Sequence, residues 1–230
     1  MTLQEAIINR HSVRRYISRP LSPECIAALQ EKIEECNRLG DLHMQLVVGE
    51  TRAFSGIMAY GKFSGVENYV VVASRKTPGS KERMGYYGEQ IVLLAQTLGL
   101  NTCWAGLSYR QVNGAYTLAE GEHVECMISL GYGETQGVQS KRKAIEEISN
   151  CSDLTPQWFR RGVEAARLAP TAINQQKFYF EYLPHHTNGK PTVRATRQFS
   201  LVGYTEMDLG IAKLHFEIGA GKDNFEWEAK

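Results

Sequence analysis

Two polar stretches far apart in the chain carry residue types that could hold an anion and a flat ring. Arg10-His11-Ser12-Val13-Arg14-Arg15-Tyr16 sets three arginines, a histidine and a hydroxyl side by side. Guanidinium forks match phosphate oxygens and donate charge-assisted hydrogen bonds, so the stretch suits a phosphate. A solvated basic turn is the plainer alternative, because most surface runs of Lys and Arg face only water. Pro170-Thr171-Ala172-Ile173-Asn174-Gln175-Gln176 closes a helix and enters a strand. Thr171, Asn174 and Gln176 could there bond the edge of a polyhydroxyl or heteroaromatic ligand; simple helix termination is the alternative. Two lesser stretches lie between. Asn101-Thr102-Cys103-Trp104-Ala105-Gly106-Leu107 has small residues that let a planar ligand approach main-chain N–H groups, and Ser140-Lys141-Arg142-Lys143 is a second basic knot.

Helices and strands must position these groups. Leu3, Ala6 and Ile7 form a short helical stripe. A stronger helix opens with Ser22 as N-cap and Pro23 at its first position, carries Ile26, Leu29 and Ile33 on one row, and has Gly40 past its end. Met44 to Gly49 reads as a strand, and Asn68 to Ser74, β-branched without alternation, as a strand covered on both faces. A helix from Ser80 to Gly99 buries Met84, Tyr87, Ile91, Leu94 and Leu98 on one face. Residues 101–108 and 123–133 follow as strands.

The last 80 residues echo this plan. Leu154, Thr155 and Pro156 can be laid on Leu21, Ser22 and Pro23 without a gap, so that helix coincides with helix and strand with strand. A helix over 204–218, followed by Gly219, Gly221 and Trp227, more weakly echoes the one that runs into Gly99 and Trp104. An internal duplication is the expectation.

With 26 Lys and Arg against 25 Asp and Glu, no global field draws the chain to nucleic acid. Any cationic site must be local. Glu5 near the N-terminus and the lack of a run of ~20 apolar residues point to a cytoplasmic protein without membrane contact. Cys25, Cys36, Cys103, Cys126 and Cys151 are widely spaced and never in C-x-x-C, which argues against a disulfide framework or a zinc site; no metal is expected.

Taken together, the four stretches resemble the FMN-dependent nitroreductase family. Its members open on a basic-Ser-x-basic motif close to that of residues 10–16, carry A-P-S-x-x-N-x-Q-P at a helix end, and have G-L-G-T-C-W-x-G after a long helix. They close on a glycine-tyrosine strand and a basic segment before P-L-E-E-V, where this chain has L-G-Y-G and K-A-I-E-E-I-S. Residues 85–110 are similar to the branch called "putative TM nitroreductases", in which two nitroreductase-like halves share one chain.

The resemblance implies an α+β nitroreductase-like fold, a mainly antiparallel sheet flanked by helices, with residues 1–150 and 151–230 as halves related by a pseudo-twofold axis. It implies bound FMN. Arg10, His11, Ser12 and Arg14 take the places of the basic motif, Arg10 and Ser12 toward the phosphate and ribityl chain and Arg14 toward the pyrimidine edge. Pro170, Thr171, Ala172 and Asn174 match the turn over the ring, Ala105 and Gly106 the backbone near flavin N5, and Lys141, Arg142 and Lys143 the second phosphate region. The implied activity is hydride transfer from NADH or NADPH through flavin to a small electron-poor acceptor such as a nitroaromatic or quinone. A flavin-binding protein without turnover, or a dehalogenating or flavin-cleaving relative, is the alternative. Thr171 stands where the family has serine and Lys177 where it often has proline; no acidic residue sits beside N5, and no side chain stands out as proton donor. Tyr60, Phe63, Tyr86, Tyr87 and Trp104 could border the acceptor or fill the core. The first half has the basic arm without the turn, and the second the turn without the arm. One complete site within one chain is therefore expected, as a monomeric pseudo-dimer; a homodimer sharing arm and turn between copies is the alternative.

Overall fold

The computed structural model describes residues 1–230 except 57, 58, 60 and 230, and except the side chains of 184 and 186. Helix α1 (Leu3–Asn9) begins at a capping box, in which Thr2 accepts from the Glu5 N–H and Glu5 from the Thr2 N–H. Helix α2 (Pro23–Gly40) starts as its sequence reads: the Ser22 hydroxyl accepts from the Cys25 N–H and Pro23 occupies the first turn. Its end differs. Gly40 stays helical and Asp41 takes the left-handed cap at φ 50°; a Cβ on Gly40 would lie 2.5 Å from the Tyr87 ring. Packing, not cap geometry, selects this glycine.

Strands β1 (Gln45–Val48), β2 (Asn68–Arg75), β3 (Asn101–Ala105) and β4 (Glu122–Gly131) form one antiparallel sheet in the order β1-β2-β4-β3. β2 is buried on both faces over all but its last residue, as its unbroken β-branched run requires. Helix α3 (Ser80–Thr97) links β2 to β3. After the short α4 (Ile145–Ile148) and α5 (Gln157–Ala166), β5 (Phe178–Thr187), β6 (Lys190–Arg197) and β7 (Glu226–Trp227) build a second sheet, whose β6–β7 pairing is parallel. A Ser149–Phe180 bridge leads from the end of the first half to β5. The alignment of Thr155 with Ser22 fails at the cap: Thr155 bonds Ser152 in the preceding turn, and Pro156 caps α5 without a side-chain acceptor.

Helix α6 (Thr205–Ala220), buried nearly all round, runs through the middle and packs against α3. The crossing is reciprocal. A Cβ on Gly85 would lie 2.0 Å from the Met207 carbonyl oxygen, and one on Gly210 would lie 1.9 Å from that of Glu82. Each glycine lets the other helix's backbone touch its own. One core spans both halves, from Leu29, Met84 and Val92 to Phe159, Phe180 and Phe216, so neither half is an independent unit.

Candidate ligand site

The segment after α1, the end of β3, the 170–176 turn and the start of α6 enclose a cavity of about 570 Å³. Its lining brings together Ser12 and Arg14, Ala105 and Gly106, and Pro170, Thr171 and Ala172. The arm reaches it as an extended segment: Ser12 bridges Thr102, and the Val13 N–H donates to the Thr102 carbonyl at 3.0 Å. Alternate residues of such a segment share a side. Ser12 and Arg14 thus meet the cavity while Val13 enters the core. Trp104, Met207 and Ile211 add apolar lining, and the Tyr204 hydroxyl donates to the Gly106 carbonyl at 3.0 Å, fixing the backbone where β3 ends.

Beside the cavity stands a cluster of cations. Arg10 is only 4% exposed, and Arg10 Nε, His11 Nδ1 and Arg142 Nε are buried nitrogens without a hydrogen-bond partner. Burial first, then Arg10 and Arg167, pushes the Arg142 guanidinium down to about 10, and burial with Arg10 lowers the His11 imidazole. Like charges that depress one another while leaving buried donors orphaned are costly unless an anion joins them. Of the 141–143 knot, Arg142 faces this cluster, whereas Lys143 Nζ donates to the Gln176 carbonyl at 2.8 Å and Lys141 is exposed.

A carboxylate ties cluster to cavity. Glu89 of α3 is fully buried, accepts from Trp104 Nε1 at 2.8 Å, lies 2.9 Å from His215 Nε2, and has Arg10 Nε 3.7 Å away. His215 Nδ1 lies 3.3 Å from the Ala165 carbonyl. Sequence reading missed Glu89, although Gly85, Val92 and Leu93, one turn away on either side, mark it as a charge on a buried face.

The 170–176 turn is strained. Ile173, Asn174 and Gln176 have φ of 47°, 59° and 46°, left-handed values that cost non-glycine residues about 1–3 kcal/mol each and collect at functional sites. Several tethers hold it. Asn174 Nδ2 and Gln176 Nε2 donate to the Lys141 carbonyl, and Asp208 of α6 accepts from the Ala172 N–H and Gln175 Nε2. Thr171 serves the turn as well, accepting from the Gln176 N–H. Arg10, His11, Asn174 and the 141–143 segment therefore stand behind or beside the cavity rather than in its lining. Phe63 and Trp104 do line it; Tyr86 instead donates to Glu217, Tyr87 packs on Gly40, and Tyr60 lies outside the described residues. Among the described residues no helix is long and apolar enough to cross a membrane.

The α+β scaffold that frames this cavity is a nitroreductase-like fold. Residues 2–220 match the family described as "Putative TM nitroreductase", and the chain belongs to that family. A solved "putative nitroreductase" of Thermotoga maritima is 24% identical, with a TM-score of 0.66 over 97% of this chain and 85% of its own. A Desulfovibrio desulfuricans "putative nitroreductase", solved in complex with FMN, is 18% identical, with a TM-score of 0.52 over 68% of this chain and 99% of its own. A nitroreductase family protein of Clostridium difficile is 15% identical, with a TM-score of 0.51 over 68% of this chain and all of its own. No curated protein matches the chain.

Proposed function

We propose that the protein is an FMN oxidoreductase that binds one flavin per chain and passes electrons from NADH or NADPH to a small electron-poor acceptor such as a nitroaromatic or quinone. The observation that carries this reading is the set of buried nitrogens without partners on Arg10, His11 and Arg142 beside a cavity of flavin-accommodating size. A phosphate satisfies them. Bound FMN would supply the redox chemistry through its N5 atom. The chain's own residues bind and orient: Arg10, His11 and Arg142 hold the phosphate, with the basic side of Lys141 and Lys143 nearby; Ser12 meets the ribityl chain; Pro170, Thr171 and Ala172 cover the ring, with Asn174 bracing their turn; and Ala105 and Gly106 border N5. Arg14, in the cavity lining, would stabilise negative charge at the pyrimidine edge.

Single occupancy has its own support. A second cleft of about 550 Å³ borders the opposite face of α6, with Trp227 and Glu228 on β6's side. Its lining charges are paired with one another: Arg194 grips Glu228 through two bonds of 2.6 and 2.7 Å, and Lys213 bonds Glu82 at 2.8 Å while lying over the Trp227 ring. We read the two clefts as the paired sites of a duplicated chain, one with cations left for a phosphate and one whose charges are already paired.

Purified protein should be yellow, and anaerobic addition of NADH or NADPH should bleach it. Flavin that binds but stays oxidised with both would overturn the enzymatic part of the proposal. Arg14→Ala should lower the flavin's midpoint potential by about 20 mV, because losing an exposed cation worth up to about 1 kcal/mol disfavours the anionic reduced form. Dye equilibration measures it, and an unchanged potential would remove Arg14 from the ring edge.

A further inference from the structure

We propose that Asp208 is a positioning residue of the flavin site, a buried carboxylate on α6 whose two oxygens hold the 170–176 turn in its strained, ring-covering shape. This rests on the FMN reading of the cavity and adds a residue to it.

Asp208 is 3% exposed and borders the cavity. Oδ1 accepts from the Ala172 N–H at 3.0 Å, and Oδ2 from Gln175 Nε2 at 2.8 Å. Gln175 Nε2 also donates to the Gly203 carbonyl at 2.9 Å, so the same amide ties the turn to the residues leading into α6. The left-handed residues Ile173 and Asn174 sit between these two anchored positions, and Ile173 is 79% exposed. Apart from Thr171 Oγ1, the turn's other tethers run to the 141–143 backbone and to the Lys143 ammonium, which donates to the Gln176 carbonyl. Asp208 is the anionic tether, and an ionised carboxylate is the stronger acceptor. It is also the one that can be switched. A proton on either oxygen removes the negative charge and leaves that oxygen a weaker acceptor, so the bonds to the Ala172 N–H and Gln175 Nε2 weaken.

Burial, opposed by the Ala172 and Gln175 bonds, raises the Asp208 carboxyl to about 6. A raised acid adds to folding stability below its unfolded value of 3.8 and loses that contribution as pH rises through about 6, so acid does not unfold the chain through this group. What acid weakens is the anionic tether of the turn. The charged or titratable groups near it are Arg14 and Lys62 in the cavity lining, the Cys126 thiol and Tyr204 phenol, and on the paired helices Glu206 and Glu82, engaged by Arg197 and Lys213. Burial moves the thiol and the phenol upward, away from this range.

The test compares FMN affinity of the wild type and Asp208→Asn between about pH 8 and pH 5, where the carboxyl titrates. The FMN phosphate ionises near pH 6 as well, but that contribution and any from His11 are common to both proteins and cancel in the ratio. At about pH 8, Asp208→Asn should bind FMN at least about tenfold more weakly, the size of one charged hydrogen bond. Toward about pH 5 the ratio should shrink to within about threefold as the wild type loses its own carboxylate. Hydrogen exchange of the Ala172 amide in the wild type, corrected for the intrinsic rate, should show protection falling over the same interval; this readout needs neither flavin nor a folded variant. A constant affinity ratio across pH, or an Ala172 amide whose protection does not change, would overturn the proposal. If neither protein binds FMN at any pH, the cofactor assignment fails instead, while the amide measurement still decides the role of Asp208.

Discussion

Arg10→Ala is expected to weaken FMN binding by about 1.5–3 kcal/mol, the range for hydrogen bonds to a charged group. Arg10 caps the C-terminus of α1 through its own N–H, so the backbone fixes where the guanidinium begins, and 4% exposure leaves it little freedom. Its Nε has no hydrogen-bond partner, and Glu89, at 3.7 Å, is already engaged by Trp104 and by His215. The guanidinium is thus charged, buried and short of acceptors, the state that gains most from a phosphate. Titrating flavin fluorescence in the folded variant measures the loss. Wild-type affinity would show that the phosphate lies elsewhere.

Glu89→Ala is expected to cost about 3–5 kcal/mol of folding stability, the penalty for removing one member of a buried ionic group and leaving the others unpaired. The Trp104 indole N–H loses its acceptor, and Arg10 and His215 face each other across the space of the lost carboxylate. Urea unfolding in the absence of flavin measures this. Glu89→Gln, which keeps an acceptor for Trp104, should lose less. A Glu89→Ala protein as stable as the wild type would mean that the buried carboxylate holds nothing together.

The parts of this site that were legible in the sequence are those made by consecutive residues. The arm, the proline turn and the Trp104-Ala105-Gly106 stretch read as ligand-facing, and all three meet at the cavity. The contributors that stayed hidden, Glu89 and Asp208, sit on helices whose surroundings are set by tertiary contact. Asp208 in the first turn of α6 reads as an ordinary helix-dipole acid, and nothing local reveals that the turn at 170–176 closes over it. The β5–β6 hairpin was also missed, for a different reason. Its signal was present: Asn188-Gly189, both at positive φ (53° and 78°), is the dipeptide that a two-residue hairpin turn favours. The alignment of the second half with the first places only one strand after the helix, and so leaves no partner strand for a hairpin there. Gly40 and Asp41 show the opposite limit, since the side chain that excludes a Cβ at Gly40 belongs to Tyr87 in another helix.

The central claim is that arm and turn of the same chain make one complete flavin site. An equimolar mixture of Arg10→Ala and Asn174→Ala proteins, each defective in one wall, tests it most directly by FMN titration. Sites contained within single chains leave every chain defective, so the mixture should bind FMN no better than the average of its two components. Sites shared between copies would regenerate an intact arm beside an intact turn, and recovery of tight FMN binding in the mixture would contradict the claim.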